Sequence, residues 1–303
     1  MLSARRRKSK TKKTSPIFLL LGIIFLVIIG VFFLFKKSVW NGEDKINIIV
    51  NSQDGNLSLL SIDPEIDGIA LIKIPDSVEV TLSRHLGEMR LKNVWQLGEN
   101  EGLGGRLLAE AVTKNFQIPL GVWGDRQVMG FWQGGIPSLM KAVFSYYQTN
   151  LTFTDRLKLA LFSFKVKDFK KITFDLAESA YLTETKLVDG ERGYVISGVM
   201  PQKILATCSD SRLTKSSIKV EILDAGAGDW VTGQVGEIIE AMGAKVALIR
   251  HLPQEEIDCV VYSKEDAVFE AVGLVFGCIQ GKEAPEGNFD LVIKIGSVFT
   301  ERF

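Results

Sequence analysis

Three sets of residues carry chemistry. In IALIKIPDSVEV, Ile69 to Val80, a strand meets Pro75 and then presents a carboxylate and a hydroxyl, Asp76 and Ser77, before the next apolar alternation. A ligand corner and a plain strand end are both open there, because proline has no backbone donor and restricts the residue before it. In LDAGAGDWVTG, glycines sit between a strand pattern and a helix pattern, where dinucleotide-binding folds seat a pyrophosphate. Gly226 and Gly228 fill the first two positions of that fingerprint, but the next glycine, Gly233, comes five residues later. The following strand, KVALIRH, offers no clear acid for a ribose, so a tight strand-to-helix turn is the reading taken. The third set is Cys208, Cys259 and Cys278 with His85 and His251. There is no CxxC pair, the odd number argues against a disulfide framework, and Cys259 and Cys278 lie in apolar runs as buried free thiols do. Neither histidine has zinc-ligand spacing to a partner.

The elements that hold these residues follow from periodicity. INIIV (46–50), LSLLSI (57–62) and IALIKI (69–74) are three strands separated by turn signals, which makes a meander. In LGGRLLAEAVTKNF, Leu103, Leu107, Leu108, Ala111 and Val112 share one helical face. IPSLMKAVFSYY reads as a helix with Pro137 in its first turn, and residues 155–164 as another capped by Thr154. Asp125-Arg126 and Asp155-Arg156 read as solvated capping pairs. A polar, serine-rich, aperiodic stretch at 207–217 marks a domain boundary. Beyond it come a strand (IKVEIL), a helix from Asp229 striped by Val231, Val235, Ile238, Ile239 and Met242, and a stop at Gly243. Strands KVALI and IDCVVY, a helix after a Ser263/Asp266 capping box, and strand FDLVIKI complete the unit. The order β-α-β-β-α-β predicts a ferredoxin-like or similar split sandwich. The fold class is thus α/β: a layered α/β domain over 45–206, a linker over 207–217, and a small sandwich domain over 218–297.

Ahead of these lies an apolar run. Every residue from Ile17 to Phe35 is apolar or glycine, long enough at about 1.5 Å per residue to cross a hydrocarbon core of roughly 30 Å. Seven basic residues precede it and Lys36 and Lys37 follow, with no small-x-small cleavage site after them. Residues 1–16 therefore read as a cytoplasmic basic arm, 17–35 as an uncleaved transmembrane helix and 36–44 as a juxtamembrane link. The bulk of the chain is then extracytoplasmic on a single-pass anchor in the cell membrane. The basic arm sets topology and calls for no nucleic acid partner. The formal charge of zero hides an asymmetry, since residues 38–303 carry 27 Lys and Arg against 36 Asp and Glu.

The stretch VEILDAGAGDWVTGQVGEIIEAMGAKVALI, with CVVYSKEDAVFEAVGLVFG and FDLVIKIGSVF after it, resembles the C-terminal domain that follows LytR-CpsA-Psr catalytic domains. INIIVNSQDGNLSLLSIDPEIDGIALIKIPDSVEV and RLKNVWQLGENEGLGGRLLAEAVTKNFQIPL are similar, in the same order, to the opening of that family's catalytic domain. The resemblance implies transfer of a polyprenyl-pyrophosphate-linked glycan onto the cell wall, with arginines on the pyrophosphate and aspartates on Mg²⁺. It places the family's arginine-aspartate corner at Asp76-Ser77, its earlier acid at Asp54 and its basic residue before asparagine at Lys92. A carboxylate in place of a guanidinium repels a diphosphate, and serine is a poor ligand for a hard dication. The arginine-rich segment of the family finds no counterpart between Gly121 and Thr154.

The reading adopted is therefore an extracytoplasmic cell-envelope protein with a degenerate LytR-CpsA-Psr-like domain, a binding or assembly module without turnover, catalytic residues or cofactor. Its partners are the membrane and a polyprenyl-linked glycan, peptidoglycan or another envelope protein. The alternative is an active phosphotransferase in which Asp54 holds Mg²⁺ while Lys73, Arg90 or Lys92 face the diphosphate. An apolar tunnel beside the first strands, lined by converging Lys or Arg, would mark the enzyme.

Overall fold

The computed structural model describes residues 38–51, 56–285 and 287–303. The basic arm, the apolar run 17–35 and Asp54 lie outside the described residues. Among those described, no helix is long and apolar enough to cross a membrane.

Strands β1 (Ile46–Asn51), β2 (Asn56–Asp63) and β3 (Gly68–Pro75) form the expected antiparallel meander, paired Ile48 with Leu60 and Leu60 with Leu71. Two short strands, β4 (Glu79–Thr81) and β5 (Glu88–Arg90), lead to helices α1 (Leu91–Asn100) and α2 (Arg106–Phe116). Strand β6 (Val122–Asp125) then pairs parallel with β1. After it come a 3₁₀ turn (Arg126–Met129) and helices α3 (Gly130–Gln133), α4 (Ile136–Phe144) and α5 (Phe153–Lys165). Strand β7 (Lys171–Asp175) joins β3 in parallel, giving a five-stranded sheet of order β6-β1-β2-β3-β7. A hairpin, β8 (Leu182–Lys186) and β9 (Arg192–Ile196), follows.

The sheet is covered on both faces because its strands are apolar on both. Side chains alternate across a strand, so Ile72 and Ile74 enter one core with α1 and α2, whereas Ile69 and Leu71 enter the other with α4 and α5. Each such fully buried aliphatic side chain contributes about 1.5–3 kcal/mol.

The cap of α5 differs from expectation. Thr152, not Thr154, is the N-cap: its Oγ1 accepts from Asp155 N (3.1 Å), and Asp155 Oδ2 accepts from Thr152 N (2.8 Å). The spacing Thr152-x-x-Asp155 closes a reciprocal box that Thr154 cannot close. Asp155 is not a solvated pair member either, being fully buried. It also accepts from Ser38 Oγ, Val39 N (3.2 Å) and Trp40 N (3.0 Å).

The stretch 207–217 contains helical turns, the end of α6 (Gln202–Cys208) and α7 (Ser211–Lys215), each too short to display a period. Cys208 packs in the first core and Leu213 in the second. The C-terminal unit runs β10 (Lys219–Ala225), α8 (Asp229–Met242), β11 (Lys245–His251), β12 (Cys259–Ser263), α9 (Asp266–Phe276), β13 (Ile279–Gln280), β14 (Leu291–Gly296) and α10 (Ser297–Arg302). The α8 stripe is buried as read, and Gly243 (φ +107°) ends the helix in the left-handed region.

Three expectations for this unit are corrected. Its sheet order is β11-β10-β14-β12-β13, with β10 parallel to both neighbours, instead of a ferredoxin-like alternation. The apolar β10 and β14 take the centre while β11, exposed along almost its whole length, takes an edge. Ser263 and Asp266 form no capping box, because Ser263 Oγ bonds Glu265 N and O and Glu265 becomes the N-cap. Cys259 and Cys278 are joined in a disulfide, since strand β12 and helix α9 fold back and bring their Cα atoms to 4.7 Å. Cys208 is the free thiol among the described residues, and burial pushes its pKa up to about 12.

Candidate functional site

The corner at the end of β3 is held by its backbone. Val78 N donates to Pro75 O, Lys92 N to Asp76 O (2.9 Å) and Tyr194 N to Ser77 O (3.3 Å). The turn thereby fastens the start of α1 and the β8–β9 hairpin to the sheet. A Cβ on Gly193 would stand 2.6 Å from Ser77 O, so this close approach requires glycine. The side chains of Asp76 and Ser77 are half-buried and make no hydrogen bond or ion pair among the described residues.

Arg90 lies beside that corner as the N-cap residue of α1, and its guanidinium is spent. Its Nε and Nη2 donate to the two carboxylate oxygens of Asp189, in the β8–β9 turn (2.8 and 2.7 Å), and its Nη1 donates to Arg192 O (3.2 Å). The bond to Asp189 raises the Arg90 pKa, and the same bond holds the Asp189 carboxyl below its ordinary range. Lys92 is exposed on α1.

Lys73 is elsewhere. It follows Ile69 and Leu71 along the other face of β3, and Ser58, its cross-strand partner, follows Ile62 and Leu60 along the same face of β2. Both strands thus turn from apolar to polar on one face toward the same end of the sheet. There a cavity of about 820 Å³ opens between β2–β3 and the segment 126–141. Lys73 lines it from the sheet, Arg126 from the 3₁₀ turn and Lys141 from α4, with Asn56 and Ser58 contributing polar groups. Gln127 also lines it, and its buried Oε1 has no hydrogen-bond partner. Lys73 and Lys141, whose side chains have no ion-pair partner among the described residues, and the lack of a carboxylate in the described lining create a field that favours an anion.

The structure therefore separates the six residues read from sequence. Asp76, Ser77, Arg90 and Lys92 stand at the corner and α1, Lys73 lies in the cavity on the other face, and Asp54 is outside the described residues. Arg126 and Lys141 were missed: the first was read as part of a capping pair, which Asp125 Oδ1 does form with Arg126 N (2.7 Å), and the second lies within the helix read over IPSLMKAVFSYY without being singled out.

The described cavity lining does not fit Mg²⁺, which takes hard anionic oxygens and is repelled by three cations. Elsewhere, Asp224, Asp229 and His251 bring ligand atoms within 4.8 Å of one another. Asp224 is already committed, however. Its Oδ1 accepts from Gly226, Ala227 and Gly228 N and its Oδ2 meets His251 Nδ1 (3.1 Å). Burial would raise the Asp224 pKa, but these backbone donors outweigh it and hold the carboxyl low. The three N–H groups that a phosphate would need in this glycine turn are thus taken by the chain's own aspartate.

A smaller cavity of about 280 Å³ lies between the two units, and its charges answer one another: Arg212 forks onto Asp210 at 2.9 and 2.6 Å.

No protein-family profile and no curated protein matches the sequence significantly. Among solved structures, the chain is similar to TagT of B. subtilis at 11% identity and a TM-score of 0.37, over 54% of this chain and 88% of that one. It is similar to TagV of B. subtilis at 10% identity and 0.38, over 52% and 92%. A further structure of TagT, described as a LytR-CPS2A-psr family protein, holds octaprenyl pyrophosphate and matches at 11% identity and 0.37, over 54% and 88%.

Proposed function

We propose that this chain is a single-pass extracytoplasmic protein of the cell envelope that binds an anionic, polyprenyl-linked glycan carrier and does not transfer it. One observation carries the reading: the cavity under β2 and β3, with Lys73, Arg126 and Lys141 on its walls and no carboxylate among its described lining. Fixed cations bind a diphosphate by charge-assisted hydrogen bonds, each worth about 1.5–3 kcal/mol. Transfer needs more, namely a group to activate the acceptor hydroxyl, and the described lining carries neither a carboxylate nor a histidine for that role.

The apolar run 17–35 with its basic flank supports the anchor and its orientation. The sequence resemblance of residues 46–80, 90–120 and 218–297 supports a LytR-CpsA-Psr-like domain followed by the family's C-terminal module. In this reading Asp76 and Ser77 stand where the family places a catalytic corner but serve the fold, and Arg90 is a structural cation.

A phosphotransferase is the second reading, favoured by the convergence of three cations on one cavity, the arrangement a pyrophosphate leaving group requires. The full-length chain incubated with lipid-linked glycan and Mg²⁺ separates the two. Saturable binding without release of polyprenyl phosphate is expected; catalytic release would establish transfer.

A further inference from the structure

Two helices on the cavity side turn apolar side chains outward. Ile136, Met140 and Phe144 recur at every fourth residue along one side of α4 and are 54–65% exposed. Leu157, Leu161 and Phe164 follow one side of α5 at 42–64%. The Phe144 and Phe153 rings stand 5.8 Å apart between centroids, so the stripes meet where α4 ends and α5 begins. Single exposed apolar residues are ordinary on a protein surface, but six large ones on two packed helices form a patch that something covers.

Charge sets the region apart from the rest. Residues 126–171 contain eight Lys and Arg against two acids, Asp155 and Asp168, in an outer portion that has 27 against 36 overall. Asp155 is buried, so the surface is more positive than the count. Apolar stripes rimmed by lysines suit a bilayer interface, with the apolar face at the acyl boundary and the ammonium groups reaching anionic headgroups.

The covalent chain points to the same surface. Ser38, Val39 and Trp40 all bond Asp155, and Lys158 Nζ reaches Ser38 Oγ (3.3 Å) and Trp40 O (2.9 Å). Ser38 is thereby tied to the first turns of α5. Phe35, the last residue of the apolar run, lies three residues earlier, and three trans peptide units reach no farther than about 11 Å.

We infer that α4 and α5 lie on the membrane, their apolar stripes seated in the interface of the bilayer that receives residues 17–35. This rests on the anchoring proposed above. The same α4 supplies Pro137, Ser138 and Lys141 to the cavity wall, so seating it brings the cavity edge to the headgroup layer. A lipid-borne anion then reaches Lys73 without leaving the membrane.

The test uses the full-length chain in vesicles of phosphatidylethanolamine and phosphatidylglycerol, with a nitroxide on Met140→Cys, on Leu161→Cys or, as control, on Val188→Cys, a residue 93% exposed in the β8–β9 turn. Native cysteines do not compete, since Cys208 is buried and Cys259 and Cys278 are bonded. The labels at 140 and 161 are expected to collide several-fold more with dissolved oxygen than with a water-soluble nickel chelate, relative to the label at 188. Equal ratios at all three positions, in a chain that survives alkaline carbonate extraction, overturn the docking and leave the anchor standing. A chain lost to that wash overturns the anchor and the docking with it. Spin–spin broadening at 161 puts a second copy of the chain on this face and overturns the assignment to lipid.

Discussion

The two faces of the central sheet present the same strand, β3, to different fates. On the α1–α2 face Ile72 and Ile74 are buried, Asp76 and Ser77 of the corner spend their carbonyls on α1 and the hairpin, and Arg90 spends its guanidinium on Asp189. On the other face the alternation Ile69, Leu71, Lys73 breaks into charge toward the strand end, and the space beside it stays open. A position that a sequence resemblance marks for chemistry is not thereby a site. On the corner face Arg90 is compensated by Asp189, whereas on the open face the side chains of Lys73 and Lys141 make no hydrogen bond or ion pair among the described residues.

The contrast can be broken in several places. The largest effect is expected at Asp155, which ties the open-face helix α5 to residues 38–40. Asp155→Ala orphans several buried donors and is predicted to cost about 3 kcal/mol in urea unfolding at neutral pH. Burial alone would raise the Asp155 pKa, but hydrogen bonds from Ser38 and Thr152 and from the Trp40 and Thr152 backbone outweigh it and leave the value depressed. A folded-state pKa below the unfolded one means that the stabilisation is complete above the ordinary carboxylate range and lost as pH falls through the folded value. The gap between wild type and Asp155→Asn should therefore close in acid; a gap constant with pH would contradict the role given to this carboxylate.

Next in size, Lys73→Glu or Lys141→Glu is predicted to weaken binding of polyprenyl pyrophosphate by about 10- to 100-fold in calorimetry, with the unfolding midpoint nearly unchanged. Arg90→Lys should do the reverse. It keeps the charge but loses the paired Nε and Nη2 bonds to Asp189, so thermal unfolding should come slightly earlier while affinity for the same lipid is unaltered. Loss of affinity with unchanged stability would move the ligand to the corner. The smallest effect is expected at Asp76→Arg, where a half-buried side chain has no partner among the described residues: stability within about 0.5 kcal/mol of wild type and no gain in binding. A marked gain would show that the corner faces the diphosphate.

Much of the scaffold was legible in the sequence. Compact apolar runs bounded by turn signals marked β1 to β3, and the stripe from Val231 to Met242 marked α8, because each is a local pattern. What escaped were facts made by long-range pairing. The order β11-β10-β14-β12-β13 depends on which strands can be buried on both sides, and Cys259 meets Cys278 only through the turnback of β12 and α9. Thr152 and Thr154 are both plausible caps by type, and the choice falls to whichever has an acid three residues on. The cavity was least legible, since Lys73, Arg126 and Lys141 come from three separate elements. Its one local sign was Lys73 itself, a charge where the face shared with Ile69 and Leu71 calls for an apolar residue.

The most direct measurement is photocrosslinking of a polyprenyl pyrophosphate that carries a diazirine next to its headgroup, on the full-length chain in vesicles, with the adducts mapped by peptide sequencing. Adducts on β3 around Lys73 and on residues 126–141, reduced in Lys73→Glu, are the predicted result. Adducts confined to residues 76–92 would contradict the account.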